Sequence, residues 1–147
     1  MTQEQKDLLL KDLCVRLPYG VKVEIKNVSK ICTLEEIDCS WEEMSVAVRH
    51  ENGEMNGYDF DLAKPYLFPM SSMTDKQKEE LFFNYIHNDI YFDDFTDYFL
   101  AGELWHDICV SIDILPSLID WFNKNKIDWR GLIPKGLALD ATGLNIY

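Results

Sequence analysis

The sequence lacks basic residues over one long stretch, since no lysine or arginine occurs between Glu79 and Asn123. Over the whole chain, 26 carboxylates are set against 14 lysines and arginines, and the formal net charge is −12. Phosphate backbones are bound mainly by lysine and arginine, so this balance argues against nucleic acid as a direct ligand. It argues equally against docking on anionic lipid. A basic protein partner is compatible with the charge.

Long apolar runs are also missing, because no segment approaches the roughly 18 apolar residues that a membrane-spanning helix needs. The first residues, MTQEQKDLLLKDL, are polar and charged, which is not typical of a secretory signal peptide. We therefore expect a cytoplasmic protein that does not associate with membranes.

The four cysteines form no CxxC pair. In a chain with a sizeable core, we expect them to be buried thiols in a reducing compartment. A disulfide across a hairpin, between Cys32 and Cys39, is the alternative. The other two are Cys14 and Cys109.

Catalytic motifs that depend on spacing are absent: there is no GxSxG, P-loop, GxGxxG or HExxH. The adjacent carboxylates of Glu35 and Glu36, on a predicted strand, point to opposite faces and do not converge. No catalytic residue and no cofactor are indicated. The alternative is a small enzyme whose site assembles from dispersed carboxylates and the three histidines, His50, His87 and His106.

What is present is enough apolar side chain for a substantial core, at 47% hydrophobic and 13% aromatic residues. Such a composition disfavours intrinsic disorder, and 147 residues fit one domain. The predicted class is α+β, with an N-terminal helix, an antiparallel meander of about four strands and an α-helical C-terminal half. We divide the domain into helix plus sheet (1–63), connector (64–73) and helical part (74–147).

The N-terminal part shows one helical and four strand patterns. Thr2 is a suitable N-cap for a helix over 2–16, whose apolar stripe would be Leu10, Leu13, Cys14 and Leu17. Alternating apolar and polar residues predict a sheet with one buried and one solvated face, which the helix would cover. An Asn-Gly pair at 52–53 predicts a hairpin turn. The strands are predicted at 21–25, 31–37, 44–50 and 58–62.

The connector contains Pro65 and Pro69, which argue against a central strand because proline cannot donate to the ladder. Thr74 and Gln77 then form a capping box that opens the helical part. A further helix is predicted around 93–101, where phenylalanines recur at helical spacing.

The segment 117–140 predicts a packed unit. Leu115, Leu118, Ile119 and Phe122 lie on one helical face, which Trp121 widens. The polar run 123–126 would end this helix, with an asparagine able to take a left-handed conformation. We expect structural roles for Trp121 in this helix and for Asp128, Trp129 and Arg130 after it.

Arg130 would bond helix-end carbonyls or a carboxylate such as Asp128 or Asp120, with Trp129 stacked nearby. Its truncation to alanine would then cost about 1–3 kcal/mol of stability.

An acidic aromatic block in the middle of the chain is the candidate partner-binding surface, since a field of one sign steers association. A sharper hypothesis is mimicry of DNA charge. The alternative without a binding role is a helical layer with its aromatic residues inward and its carboxylates in solvent. No metal site is indicated, because the aspartates lack EF-hand spacing, and His106 with Cys109 supplies two of the four ligands that structural zinc needs. The candidate partner-binding residues are Asp89, Asp93, Asp94, Asp97, Glu103 and Asp107.

Three segments carry a family resemblance: DLCVRLPYGVK (12–22), PYLFPMSSMT (65–74) and DWRGLIPKGLALD (128–140). In these the chain resembles short proteins of gut Bacteroidales and of their phages or mobile elements, a group without an assigned activity. The resemblance implies a cytoplasmic location and a mobile-element context, and it implies no catalytic residue. The sequence therefore predicts a non-catalytic accessory or interaction protein with a basic protein partner, or a homo-oligomer.

Overall fold

The computed structural model describes residues 1–28, 30–40, 44–85 and 113–147. Three helices and six strands lie in these ranges, joined by short 3-10 turns at Leu17–Tyr19, Phe60–Leu62 and Met70–Ser72. The α+β class is confirmed. In chain order the elements are α1 (Gln3–Arg16), β1 (Lys22–Ile25), β2 (Ile31–Cys39), β3 (Met44–Arg49), β4 (Met55–Asp59), β5 (Ala63–Leu67), α2 (Asp75–Tyr85), α3 (Leu115–Lys124) and β6 (Leu139–Asp140).

The strands form one sheet in the order β4-β3-β2-β1-β5-β6. The first four pairings across the sheet are antiparallel, whereas β5 and β6 are parallel. The prediction of about four strands in a purely antiparallel meander is therefore wrong in strand number and in pairing. The predicted strand over 58–62 is also misplaced, because β4 ends at Asp59 and the following 3-10 turn buries Phe60.

β5 corrects the prediction that the proline-containing connector excludes a central strand. The Leu62 carbonyl accepts from the Lys26 N–H at 3.0 Å, whereas the Leu67 carbonyl accepts from the Ala141 N–H at 2.8 Å. Because hydrogen-bonding directions alternate along a strand, Pro65 directs its nitrogen away from β1. β6 pairs with β5 only from Tyr66 onward. Pro65 therefore leaves no ladder bond unmade.

α1 covers the buried face of the sheet, as predicted. It begins with a capping box, in which Thr2 Oγ1 accepts from the Gln5 N–H and Gln5 Oε1 accepts from the Thr2 N–H. The predicted stripe is only partly right, because Cys14 is exposed and the buried residues are Leu9, Asp12, Leu13 and Arg16. Two of these four are charged, and a search for apolar periodicity places charged residues outside.

The buried side chains form two clusters. The aliphatic cluster lies between α1 and the sheet, and it includes Leu9, Leu13, Val23, Cys32, Leu34, Val46, Val48, Phe60, Leu132 and Leu137. The aromatic cluster lies between α2 and α3, and it consists of Met73, Leu81, Leu118, Trp121, Phe122 and Ile127, with Trp129 and Tyr85 packed against it.

The helices of the aromatic cluster begin where the sequence predicts. Thr74 and Gln77 exchange the capping-box bonds before α2, and α3 carries Pro116 in its first turn. After α3 the left-handed residue is Lys126, with φ 58°, rather than an asparagine.

The C-terminal part is helical only in α2 and α3 among the described residues. Beyond α3 the chain bridges to Phe68 through Ile127, and it returns to the sheet as β6. Leu132 and Leu137 lie in the aliphatic cluster, so this segment packs against the sheet. The predicted helix around 93–101 lies outside the described residues.

The cysteines correct another prediction. Cys14 and Cys39 are exposed, Cys32 is buried, and all three are free, so the alternative Cys32–Cys39 disulfide is not formed. Cys109 lies outside the described residues. In the part of the chain that the structure describes, none of the helices has the length and apolar character required to cross a membrane.

Candidate functional site

The predicted partner-binding carboxylates all lie in 86–112, outside the described residues. His87 and His106 lie there too. The structure describes the helices on either side of this segment, α2 and α3. Trp121 of α3 donates from Nε1 to Glu80 Oε1 of α2 at 2.9 Å, and its ring centroid lies 6.4 Å from that of Tyr85. The helices that precede and follow the acidic segment are therefore held together.

Three of the residues predicted to be structural lie together after α3, and the fourth, Trp121, lies within α3. The Asp128 carboxylate accepts from the backbone N–H groups of Leu132 and Ile133, at 2.7 and 2.8 Å. Trp129 stacks on Phe122 with centroids 6.4 Å apart, and the Arg130 guanidinium lies 4.2 Å from the centroid of the Trp129 ring. The expected stacking of Arg130 on Trp129 is thus present.

The carboxylate beside Arg130 is Asp12 of α1, not Asp128 or Asp120. Arg130 Nε lies 3.5 Å from Asp12 Oδ1. Asp128 is occupied by backbone donors, and the Asp120 carboxylate accepts from the Tyr19 hydroxyl. The prediction of Asp128 or Asp120 as the partner was therefore wrong, because the contact is made by a carboxylate of α1.

Asp12 and Arg16 form a fully buried ion pair at 0% exposure. Arg16 Nε donates to Asp12 at 2.7 Å, and Arg16 Nη2 donates to the Ile127 carbonyl at 2.9 Å. Burial raises the pKa of Asp12, and the charges of Arg16 and Arg130 partly offset that rise. The spacing of i and i+4 is visible in the sequence, but such a pair is usually exposed.

Two buried guanidinium nitrogens of this ionic centre, Arg16 Nη1 and Arg130 Nε, have no hydrogen-bond partner among the described groups. Desolvated donors of this kind cost stability. The Asp12–Arg16–Arg130 group therefore joins α1 to the segment after α3 without being fully satisfied.

A second constellation, which sequence reasoning did not find, surrounds His50 at the end of β3. The Cys32 thiol lies 3.2 Å from His50 Nδ1, and the Tyr58 hydroxyl lies 3.3 Å from His50 Nε2. Both ring nitrogens are therefore engaged. The three residues come from adjacent strands, so their proximity depends on strand register, which the sequence does not reveal.

His50 and Tyr58 of this constellation line a cavity of about 520 Å³ at one end of the sheet. The β3–β4 turn shapes one wall, because Asn52 Oδ1 accepts from the Glu54 N–H at 3.1 Å and Gly53 takes a positive φ of 86°. This turn is the predicted Asn-Gly hairpin turn. The cavity is lined in part by Lys30, His50, Glu51, Glu54, Asn56 and Tyr58.

The chemistry that this cavity supports is polar binding rather than thiol attack. Cys32 is 1% exposed, and burial raises the pKa of its thiol, so the reactive thiolate is disfavoured. The accessible groups are the carboxylates of Glu51 and Glu54, the Tyr58 hydroxyl and the amides of the turn.

An apolar groove of about 560 Å³ lies between α1 and α3. Val15 and Leu115 are exposed at its walls, at 38% and 36%. Tyr19 and Asp120, which share a hydrogen bond, lie at its rim.

Groups of three or more His, Cys, Asp or Glu side chains able to hold a metal ion are absent from the described ranges. Comparisons of the chain with protein-family models, curated proteins and solved structures give no match.

Proposed function

We propose that the chain is a non-catalytic, cytoplasmic accessory protein of phage or mobile-element origin, which binds a basic protein through the segment 86–112. One observation carries the proposal. This segment contains six carboxylates and six aromatic residues but no lysine or arginine. Charge of one sign steers a partner of opposite sign, and aromatic side chains supply the contact area that makes such an interface tight.

The distribution of charge over the rest of the chain supports the same proposal. All 14 lysines and arginines lie in the described part, beside 18 of the 26 carboxylates. The segment 86–112 therefore carries six of the other eight carboxylates and half of the net charge of −12. Mimicry of DNA charge, against a DNA-binding protein, is the stronger form of the proposal.

The packing of α2 on α3 supports a recognition role for the segment between them. Both helices contribute to the aromatic cluster, through Leu81 on one side and Leu118, Trp121 and Phe122 on the other. The helices on either side of the acidic segment therefore belong to one packed core.

Affinity capture from the native host at low and high salt tests the proposal. The informative variant changes Asp89, Asp93, Asp94 and Asp97 to asparagine. Its matched control changes Glu4, Asp7, Glu36 and Asp38, which are exposed, to the corresponding amides, so that both variants have the same net charge.

We expect the wild type and the control to retain a basic partner at low salt and to release it at high salt, because salt screens exposed charge pairs. The asparagine variant should lose most of the captured protein. Equal losses in both variants, or capture that ignores salt, would count against the acidic segment.

A second candidate function is a small enzyme, favoured by the position of His50 beside Glu51 and Glu54 in a concave site. Incubation with a panel of chromogenic carboxylic esters, phosphate esters and glycosides addresses it. Turnover that His50→Gln abolishes, and that the four-aspartate variant leaves unchanged, would favour the enzyme.

A further inference from the structure

β4 is the outer strand of the sheet, at the end opposite β6. The His50 N–H donates to the Glu54 carbonyl at 2.9 Å, which sets the alternation of backbone bonds along the β3–β4 pair. Asn56 and Tyr58 therefore bond to β3. The N–H and C=O groups of Met55, Gly57 and Asp59 point outward, and no strand of the described chain pairs with them.

This edge lacks three features that usually prevent pairing with another chain: lysine, proline and a β-bulge. The five residues MNGYD contain neither lysine nor proline, and the irregular register of the sheet falls between β2 and β3, not on β4. Edge strands without these features are templates for strand addition. Gly57, at the centre, has open space where a Cβ would stand.

The cavity beside His50 adjoins the same edge. Asn56 and Tyr58 pair with Val48 and Val46, which are buried, so their side chains lie on the covered face of the sheet and line the cavity. A strand added to β4 would place alternate side chains on that face. Strand addition gains affinity from main-chain bonds and specificity from such side-chain pockets.

We propose that β4 binds an extended segment of a partner polypeptide by strand addition, with a lysine or arginine of that segment in the cavity. Glu51 and Glu54 line the cavity against one described cation, Lys30, and Asp59 ends the strand. The surface is separate from the acidic segment 86–112, so this inference goes beyond the proposed function.

A second copy of the chain fits the edge less well. Its own β4, MNGYD, contains neither lysine nor arginine, so it would bring no cation to Glu51 and Glu54. A basic segment supplies that charge.

Fluorescence anisotropy with a labelled peptide tests the proposal, using about nine residues of alternating lysine and valine, a common strand length. A peptide of alternating glutamate and valine has the same pattern and the opposite charge. A lysine–valine peptide with a central proline removes one main-chain donor. We expect the lysine–valine peptide to bind at least about tenfold more tightly than either, a difference of about 1.4 kcal/mol.

The variant Glu51→Gln/Glu54→Gln should weaken binding of the lysine–valine peptide about tenfold. Its matched control is Glu36→Gln/Asp38→Asn, which makes the same change of charge at exposed positions of β2 and should leave affinity unchanged. The four-aspartate variant of the acidic segment should also bind normally. Loss of peptide binding in that variant would assign the peptide to the acidic segment and overturn the proposal.

Hydrogen exchange of the wild type locates the bound peptide without any variant that risks misfolding. Saturation with the lysine–valine peptide should slow exchange of the outward amides of Met55, Gly57 and Asp59. Exchange at Asn56 and Tyr58, already bonded to β3, should change little. Equal affinity for both charged peptides, or protection confined to other strands, would refute strand addition at β4. A dimer of the chain that pairs through β4 would also overturn the proposal, because the edge would then bind a second copy instead of a partner.

Discussion

The aliphatic cluster and the aromatic cluster are stabilised differently. The first is built from a sheet and a helix, with small branched side chains fixed by strand register. The second is built from two helices, with Trp121 and Phe122 in an edge contact at 5.4 Å between ring centroids. The two clusters meet at Arg16, the last residue of α1. Its side chain donates to the carbonyl of Ile127, a member of the aromatic cluster. The buried charge is thus a connection between two apolar regions.

The largest expected effect comes from removing that connection. Arg16→Met leaves the Asp12 carboxylate buried without its closest partner, and we expect a loss of about 3–5 kcal/mol in the free energy of unfolding. Urea denaturation measures it.

The double variant Asp12→Leu/Arg16→Met is the control, because it removes both charges together. It should be more stable than Arg16→Met alone, since it leaves no buried carboxylate without its arginine partner. A double variant as unstable as the single one would show that the bond to the Ile127 carbonyl, rather than the charge, stabilises the fold.

Truncating one buried leucine in each cluster compares the two clusters directly. Leu34 in the aliphatic cluster and Leu81 in the aromatic cluster are 2% and 0% exposed. Each change to alanine should cost about 3 kcal/mol, as buried leucine truncations do. In a single domain, both should shift one common transition, followed by circular dichroism and by tryptophan fluorescence. Separate transitions in Leu81→Ala would mean that the two clusters unfold independently.

Arg130→Ala tests the edge of the ionic centre. The side chain is 22% exposed, its Nε lies 3.5 Å from Asp12, and it stacks on Trp129. We expect a loss of about 1 kcal/mol, the lower part of the range given by the sequence, because a charged contact of this length is weak. Thermal and urea unfolding measure it. Arg130→Lys keeps the charge but loses planar stacking, and it should fall between wild type and alanine.

The smallest effect concerns Tyr147. Its hydroxyl donates to the Tyr66 carbonyl at 2.7 Å and accepts from the Lys22 N–H at 3.0 Å. Desolvation raises the pKa of Tyr147 to about 12 from 10.0. Since the folded pKa is the higher one, the stabilisation is complete below about pH 10 and is lost as pH rises to about 12. The residue is 42% exposed, which keeps the effect small.

Tyr147→Phe serves as the comparison, because it cannot ionise. The difference in stability between wild type and Tyr147→Phe should shrink between about pH 10 and 12. A difference that stays constant over this range would place the hydroxyl in water.

The features that the sequence predicted correctly are local ones. They include the Thr2 N-cap, the capping box of Thr74 and Gln77, the Asn-Gly turn and the helical face of α3, which all depend on residues within a few positions of one another. The misses depend on distant residues. β5 can be a strand because Pro65 lies where no main-chain donor is needed. That position depends on β6, whose pairing with β5 begins only at Tyr66 and Leu139.

The candidate sites show the same division. The stacking of Trp129 and Arg130, neighbours in sequence, was predictable, whereas the contact of Arg130 with Asp12 spans nearly the whole chain. His50 meets Cys32 only through the register of β2 against β3, which includes an irregularity between Leu34 and Glu36. The acidic segment stays a prediction from charge.

The parallel pairing of β5 with β6 joins Tyr66 and Leu67 to Leu139 and Asp140. On the ribosome, β1 to β5 leave the exit tunnel long before β6 does. Until then, the side of β5 that faces away from β1 has no β6 to pair with. The residues of β5, AKPYL, are largely apolar. We expect Pro65, at the centre of β5, to make this temporary edge a poor template for another nascent chain, because proline lacks a main-chain donor.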